Sequence, residues 1–447
     1  YKHMNTHDDL STHRGMIILG ESFASFQTIK VIAMKEPTVT FEQIIERACG
    51  IDVHKSLVVC TINGTGIKEE TRSFNGFTES LVELRDWLKE NGVTHVAMES
   101  TGVYWKPVFN IFEEDFEIIL VNARHIKNVP GHKTDKKDSK WIAKLLLCGL
   151  LKGSFIPPKP IRELRDLTRY KRKIIGHITS EKNRIQKILE DANIKLSSVV
   201  SDMSGAVATR IIDALIGGEE NVSELVKFRH GKMHCTEDEL AASLRGKLTN
   251  HHRFMLQTIK ESIGEKERLL EKLDAQIEKM LKESELELDA KLLQTIPGVG
   301  KEGAAYILAE IGNDMSQFPN EQHLTSWAGM SPGCNESGGK KKSSRTTHGN
   351  IHLKTLLTQF AWAATRTKNT YLRSKYDSLV GRRGKKRALV AIGRKILIAA
   401  YFILRDQTPY KELGGGFLDN RKKDKQVQRY LIKLRELGIN VHIEKAA

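Results

Sequence analysis

The run from Gly50 to Ile62, dense in Ile and Val, constrains this chain more than any other feature. Residues branched at Cβ fit a pleated, half-buried surface, so the run predicts strand. A Gly64/Gly66 turn and a second extended stretch near Thr71–Phe74 follow. Phe77–Glu90 then carries Leu81, Leu84, Trp87 and Leu88 at helical spacing, and Val93–Met98 alternates as a buried strand ending at Glu99. A short helix around Val103–Phe112 leads to the apolar strand Phe116–Val121, and Ser139–Leu151 is helical again. Hairpin-like strands followed by α/β alternation predict a mixed sheet flanked by helices.

The length of 447 residues suggests two to four domains. Lys and Arg number 71 against 55 Asp and Glu, a balance of +16. The excess is clustered. Lys159 to Lys187 holds ten cations and three acids, and Arg366 to Lys395 holds eleven cations and Asp377 as the lone acid. Such clusters favour a polyanion, since each neutralised phosphate releases counterions. No run approaches the roughly 18 apolar residues that cross a bilayer, and no lipid-facing helix stands out. Cys49, Cys60, Cys148, Cys235 and Cys334 lie far apart without a CxxC pair, which points to a reducing cytosolic setting.

Five segments are expected: a leader over 1–47 that opens on Tyr1 with weak periodicity, the α/β domain over 48–155, a helical and coiled-coil linker over 156–290, a mainly helical C-terminal domain over 291–413, and a basic tail over 414–447. In the linker, Leu164, Leu167, Ile174, Ile178, Ile185 and Leu189 mark one amphipathic helix. Leu256, Ile259, Ile263, Leu270, Leu273, Ile277 and Met280 form a heptad seam suited to a coiled coil or helix hairpin. Between them, 194–250 reads only as helical linker or insertion.

Four acids carry the chemistry. Asp52 lies between Ile51 and Val53 in the first strand, where a carboxylate is costly unless paired or bound to a cation. Glu99 ends a later strand. Asp135 and Asp138 are three apart where a helix begins, on one face of its first turn. Singly, each has a plain structural use, such as a helix cap or a dipole partner. Together they can converge at one end of one sheet and hold Mg2+ or Mn2+, which suit hard oxygen ligands and phosphoryl transfer. Lys133, Lys136 and Lys137 would meet the phosphate backbone.

Farther on, Pro297-Gly298-Val299-Gly300 between apolar helices resembles a helix-hairpin-helix, whose backbone N–H groups around Gly298 and Gly300 bind phosphate. The stretch Gly329–Gly349 reads as a flexible cationic loop with Lys340, Lys341, Lys342 and Arg345 around Ser337. A serine hydroxyl turns nucleophilic only when a base or metal activates it and cations hold the phosphate. Arg382, Arg383, Lys385, Lys386 and Arg387 add a further basic patch.

The motifs GIDVHK, MESTG and KTDKKDSKWIA, in that order within about ninety residues, resemble the DEDD transposases of bacterial insertion sequences, the family numbered one-ten with its relatives numbered one-one-one-one. The downstream Gly-x-x-Pro element, Ser-Gly pair, basic stretch and Gly-Asn resemble that family's C-terminal transposase domain. The resemblance spans roughly Ala48 to Leu413. It implies a RuvC-like, ribonuclease-H-type fold with Asp52, Glu99, Asp135 and Asp138 as the metal-binding tetrad. It also implies Ser337 as a covalent nucleophile, a bridge RNA that pairs with target and donor DNA, a dimer or tetramer of this chain, and action at the bacterial nucleoid. Where relatives carry two adjacent serines this chain has Glu336-Ser337, so Ser331, Ser343 and Ser344 remain alternatives. Two rival readings stand beside it. One is a metal-dependent Holliday-junction-type nuclease using activated water; the other is a non-catalytic RNA-binding scaffold.

Overall fold

The structure, a computed structural model, describes residues 43–100, 102–122, 135–231, 233–333, 335–343 and 345–439. For Asp135, Lys136, Lys137, Ser337, Lys341, Lys342 and Ser343 it describes the backbone; Lys133 and Ser344 lie outside the described residues. The chain divides into two compact units, Tyr1–Ser154 and Phe155–Ala447.

The first unit is built on five strands, β1 (Arg47–Val53), β2 (Leu57–Gly64), β3 (Glu70–Asn75), β4 (His95–Glu99) and β5 (Glu117–Val121), in the order β3-β2-β1-β4-β5. β1, β2 and β3 pair antiparallel, while β1, β4 and β5 pair parallel. This is the mixed ribonuclease-H-type sheet. The expected strand Gly50–Ile62 is two strands: the polar His54-Lys55-Ser56 turns the chain, with the His54 N–H donating to the Leu57 carbonyl at 2.8 Å. Apolar residues on both sides of three polar ones read as continuous, yet one turn splits them.

Helices α1 (Thr78–Glu90), α2 (Trp105–Phe112) and α3 (Asp135–Leu147) complete this unit. α3 begins a turn earlier than its apolar residues suggest. It docks on β1 at Gly50, where any Cβ would collide with the Ser139 carbonyl and the Ala143 backbone. The buried Ser139 hydroxyl shares a 2.8 Å hydrogen bond with Thr61, Gly50's partner in β2. At the far end, the Ile44 and Ile45 N–H groups donate to the Leu147 carbonyl. Helix α3 therefore runs antiparallel to β1.

The second unit is mainly helical. Its long helices α4 (Lys159–Asp191) and α9 (Asn250–Glu283) lie antiparallel, with Ile174 and Ile178 clustered with Ile259, Ile263 and Leu273. The heptad residues of α9 thus find their partners within this chain. Residues 194–250, read as helical linker or insertion, hold four short helices: α5 (Leu196–Val199), α6 (Ala206–Ile216), α7 (Val222–Val226) and α8 (Glu237–Ser243). Ile194, Ile211, Leu215, Leu225, Leu240 and Leu244 give them their own core. Helices this short show too few turns for a clear period.

Next come α10 (Glu287–Leu293), α11 (Lys301–Ile311), α12 (Glu321–Trp327), the hairpin strands β6 (Asn335–Ser337) and β7 (Lys340–Ser343), α13 (Ile351–Ala364), α14 (Tyr371–Arg383), α15 (Lys385–Asp406) and α16 (Phe417–Glu436). From Gly303 to Ile311, α11 is buried all round, as a central core helix must be. The tail contains a helix, α16. Among the described residues, no helix is long and apolar enough to cross a membrane.

Candidate active site

The acidic candidates map to one end of the sheet. In the parallel register Ile51 pairs with Met98, so Asp52 and Glu99 are the next residues on neighbouring strands, roughly 4.8 Å apart at the backbone. Asp52 Oδ2 lies 3.2 Å from His54 Nε2, and its side chain is 13% exposed. Ser139 fixes α3 over Gly50 and Thr61. From Gly50, Asp52 lies two residues, or roughly 6.6 Å, along β1. From Ser139, Asp135 lies one turn, or roughly 6 Å, along the antiparallel helix. Both steps lead to the same edge, and Asp138 adjoins Ser139. The backbone thus places the element ends that bear these acids toward one end of the sheet. Among the described residues, no three His, Cys, Asp or Glu side chains gather closely enough to hold a metal ion, Asp52, Glu99 and Asp138 included; the Asp135 side chain is outside that description. Oxygen donors of this kind fit Mg2+ or Mn2+. Nearby, burial pushes the Cys60 thiol well above its usual range, reinforced by Cys49 and the Asp52 charge, so that thiol stays protonated and inert.

The serine half is more ordered than its composition suggests. Where a flexible loop is expected, β6 and β7 form a hairpin whose turn is Gly338-Gly339, with φ of +58° and +73°. Positive φ at both central residues is the two-residue hairpin turn whose twist matches its strands. Ser337 is the last residue before that turn. The arms continue downward through the Gly333 N–H to the Arg345 carbonyl, 2.9 Å, and a Pro332–Thr346 bridge. At the neck, Gly329 and Gly349 cross backbone to backbone; a Cβ on Gly329, at φ +68°, would sit 2.9 Å from the Gly349 nitrogen. These contacts explain the glycines of the two outer motifs.

Asn350 anchors the neck. Its Oδ1 accepts from the N–H groups of His352 and Leu353, capping α13, while its Nδ2 donates to Glu310 Oε2 at 2.5 Å. Glu310, on the buried helix α11, also accepts Nε and Nη2 of Arg169, each at 2.8 Å. Arg165 donates to the Ala309 and Glu310 carbonyls at 2.8 Å, and burial pushes its guanidinium down to about 10. Burial alone would raise the Glu310 carboxyl, but Arg169, Asn350 and Arg165 outweigh it and hold the group below the usual glutamate range. Burial, with Arg169 close by, also lowers His352. Glu310 and Arg169 escape a reading of the sequence. The visible hint is a single acid inside the otherwise apolar run Ala304–Ile311.

The glycine hairpin before α11 answers to packing. Gly298, at φ +89°, faces the Phe360 carbonyl and the Ala364 nitrogen of α13, which a Cβ would meet at 2.5 and 2.6 Å. The first turn of α11 is engaged by ion pairs, Lys301 with Glu278 at 2.5 Å and Glu302 with Lys171 at 2.6 Å. Gly300 is exposed, and the carboxylates beside that helix start are paired with Lys301 and Lys171. Lys340 and Arg345 are exposed beside the hairpin, and Arg382, Arg383, Lys385, Lys386 and Arg387 are exposed around the α14–α15 break.

Comparison with known proteins fits this arrangement. Residues 49–194 match a DEDD-type transposase family, and residues 290–377 match the family described as "Transposase IS116/IS110/IS902 family". The "Pilin gene-inverting protein" of Moraxella bovis is 33% identical over 380 residues, covering 81% of this chain and 96% of the relative. The chain belongs to the IS116/IS110/IS902 transposase family. It is therefore a DNA transposase/recombinase. The transposase is also 24% identical to the "Pilin gene-inverting protein" of Moraxella lacunata, over 81% of this chain and 96% of that one. It is 26% identical to an "Insertion element IS110 uncharacterized 43.6 kDa protein" of Streptomyces coelicolor, over 63% of this chain and 73% of that one.

Proposed function

We propose that this transposase cuts and rejoins DNA through a phosphoserine link at Ser337, beside Mg2+ or Mn2+ held by Asp52, Glu99, Asp135 and Asp138. The observation that carries this reading is the sheet edge on which the Ile51–Met98 register and the Gly50–Ser139 contact converge. A shared divalent cation relieves repulsion among the carboxylates and, when bound, offsets charge building on the phosphate oxygens. The Ser337 Oγ bonds to phosphorus as one sugar oxygen leaves; the serine loses its proton and the leaving oxygen gains one. Rejoining reverses the exchange with the hydroxyl of a second strand, so the number of phosphoester bonds is conserved and no outside energy source is needed. Lys340 and Arg345 supply cations beside the serine.

A bridge RNA encoded by the element selects target and donor DNA by base pairing, and the +16 balance suits both nucleic acids. The protein acts as a homo-oligomer in the bacterial cytoplasm, at the nucleoid, with serine and acids of different protomers in one composite site. The relatives named for inverting a gene accord with strand exchange.

A denaturing gel of protein–DNA adducts tests the chemistry. Wild type gives an adduct, whereas Ser337→Ala and Asp52→Asn give none; cutting by Ser337→Ala would instead indicate a nuclease using water. Recombination of two plasmids with and without the element's noncoding flank tests the RNA, and efficient exchange by protein alone would remove it.

A further inference from the structure

Beside the hairpin neck lies a cleft of about 820 Å3, bounded by residues 345–349 on one side and the outer face of α13 on the other. We infer that this cleft takes an unpaired DNA strand next to the cut, with Trp362 as the platform on which a base stacks. The assignment to DNA rests on the serine reading above; the stacking site rests on the cleft itself.

On α13, Ile351, Thr355, Thr358 and Trp362 recur at spacings of four, three and four, a single stripe. The opposite stripe, Leu353, Leu357, Ala361 and Ala364, is buried and holds the helix in place. Yet Ile351 is 70% exposed and Trp362 is 45% exposed, large apolar groups on a face that the core does not need. The Arg366 guanidinium lies over one face of the Trp362 ring, 4.9 Å from its centre, so a base would stack on the other face.

Polar groups around this floor match a nucleotide. Lys354 donates to Thr346 Oγ1 at 2.7 Å, which brings its ammonium into the cleft. The hydroxyls of Thr355 and Thr358 give their protons to the carbonyls of Ile351 and Lys354, leaving oxygens that accept from base N–H groups. Gln359, also on the cleft wall, accepts from Arg172 of α4 at 3.3 Å. Beyond it Tyr170, Arg172 and Lys173 line a second depression together with Asp166, with more cations than acids along the path of the backbone. A paired base offers only its edges, so an aromatic platform of this size selects a single strand.

The test uses the full-length chain without divalent ions and follows fluorescence anisotropy of a labelled twelve-nucleotide oligodeoxythymidine. Trp362→Ala should weaken binding about 5- to 140-fold, the range for one lost stacked base, while Trp362→Phe stays close to wild type. The salt slope should not change in Trp362→Ala, because no charge is removed. An abasic oligomer should bind wild type and Trp362→Ala alike. Equal binding of the thymidine oligomer by both proteins, or an equal loss on the abasic oligomer, overturns the stacking site. A loss confined to oligouridine reassigns the cleft to RNA and overturns the DNA reading. The readout needs no cleavage, so a failure of the serine chemistry leaves this result independent.

Discussion

Glu310 and Arg169 meet through two parallel 2.8 Å hydrogen bonds, although 141 positions separate them in sequence. The carboxylate side chain is 2% exposed, and the same oxygen that takes Arg169 Nη2 also takes Asn350. One buried charge therefore joins α4, α11 and the neck of the serine hairpin. A buried pair of this kind adds little net stability, but removing one partner leaves the other charge uncompensated.

Glu310→Gln should accordingly destabilise the second unit by about 3–5 kcal/mol, read as a shift in the urea midpoint. The pH dependence has a defined sign. The folded carboxyl lies below the ordinary glutamate value, so its stabilisation is complete above about pH 4.3 and is lost as pH falls through the folded value. The wild-type midpoint should fall more steeply than that of Glu310→Gln below that pH. Parallel curves would show that the carboxylate carries no such linkage.

Gly50→Ala tests the docking that aligns the acids. The added methyl meets the Ser139 carbonyl and the Ala143 backbone, neither of which can swing aside. A loss of about 1–3 kcal/mol is expected from the overpacking, with adduct yield falling further than the folded fraction. Full adduct yield at unchanged stability would mean that α3 is free to shift without consequence.

Turn chemistry at the hairpin tip separates backbone geometry from charge. Gly338→Asn keeps a residue that tolerates positive φ and should retain most adduct formation. Gly339→Val places a β-branched residue at φ +73° and should cost roughly 1–2 kcal/mol locally, with adduct yield falling while thermal unfolding of the whole chain barely moves.

Chelation of divalent ions should abolish strand cleavage, and added Mg2+ or Mn2+ should restore it. In Asp52→Asn neither ion should restore it. Cleavage that persists in chelator would remove the metal role of the tetrad.

The sheet could be read in advance because two adjacent strands are largely buried: Ile51 and Val53 of β1 and Val58 and Val59 of β2 announce themselves by type. Asp52 stood out for the same reason, as a carboxylate in apolar company. The hairpin was obscured by Lys340–Lys342, which looks like a solvated charge run, although Gly338-Gly339 is a turn signal in its own right. Glu310 and Trp362 were hidden more deeply. Each lies on a helix whose periodicity is satisfied without it, and only the partners brought close by folding give it meaning. The short helices of 194–250 escaped because a core assembled from four pieces leaves no long pattern in any one of them.

The crossing of Gly329 and Gly349 leaves no room for a side chain between the two arms, which makes it a fulcrum. Asn350 caps α13 directly after this crossing, so the seat of that helix and the base of the β6–β7 hairpin are set by the same stretch of backbone.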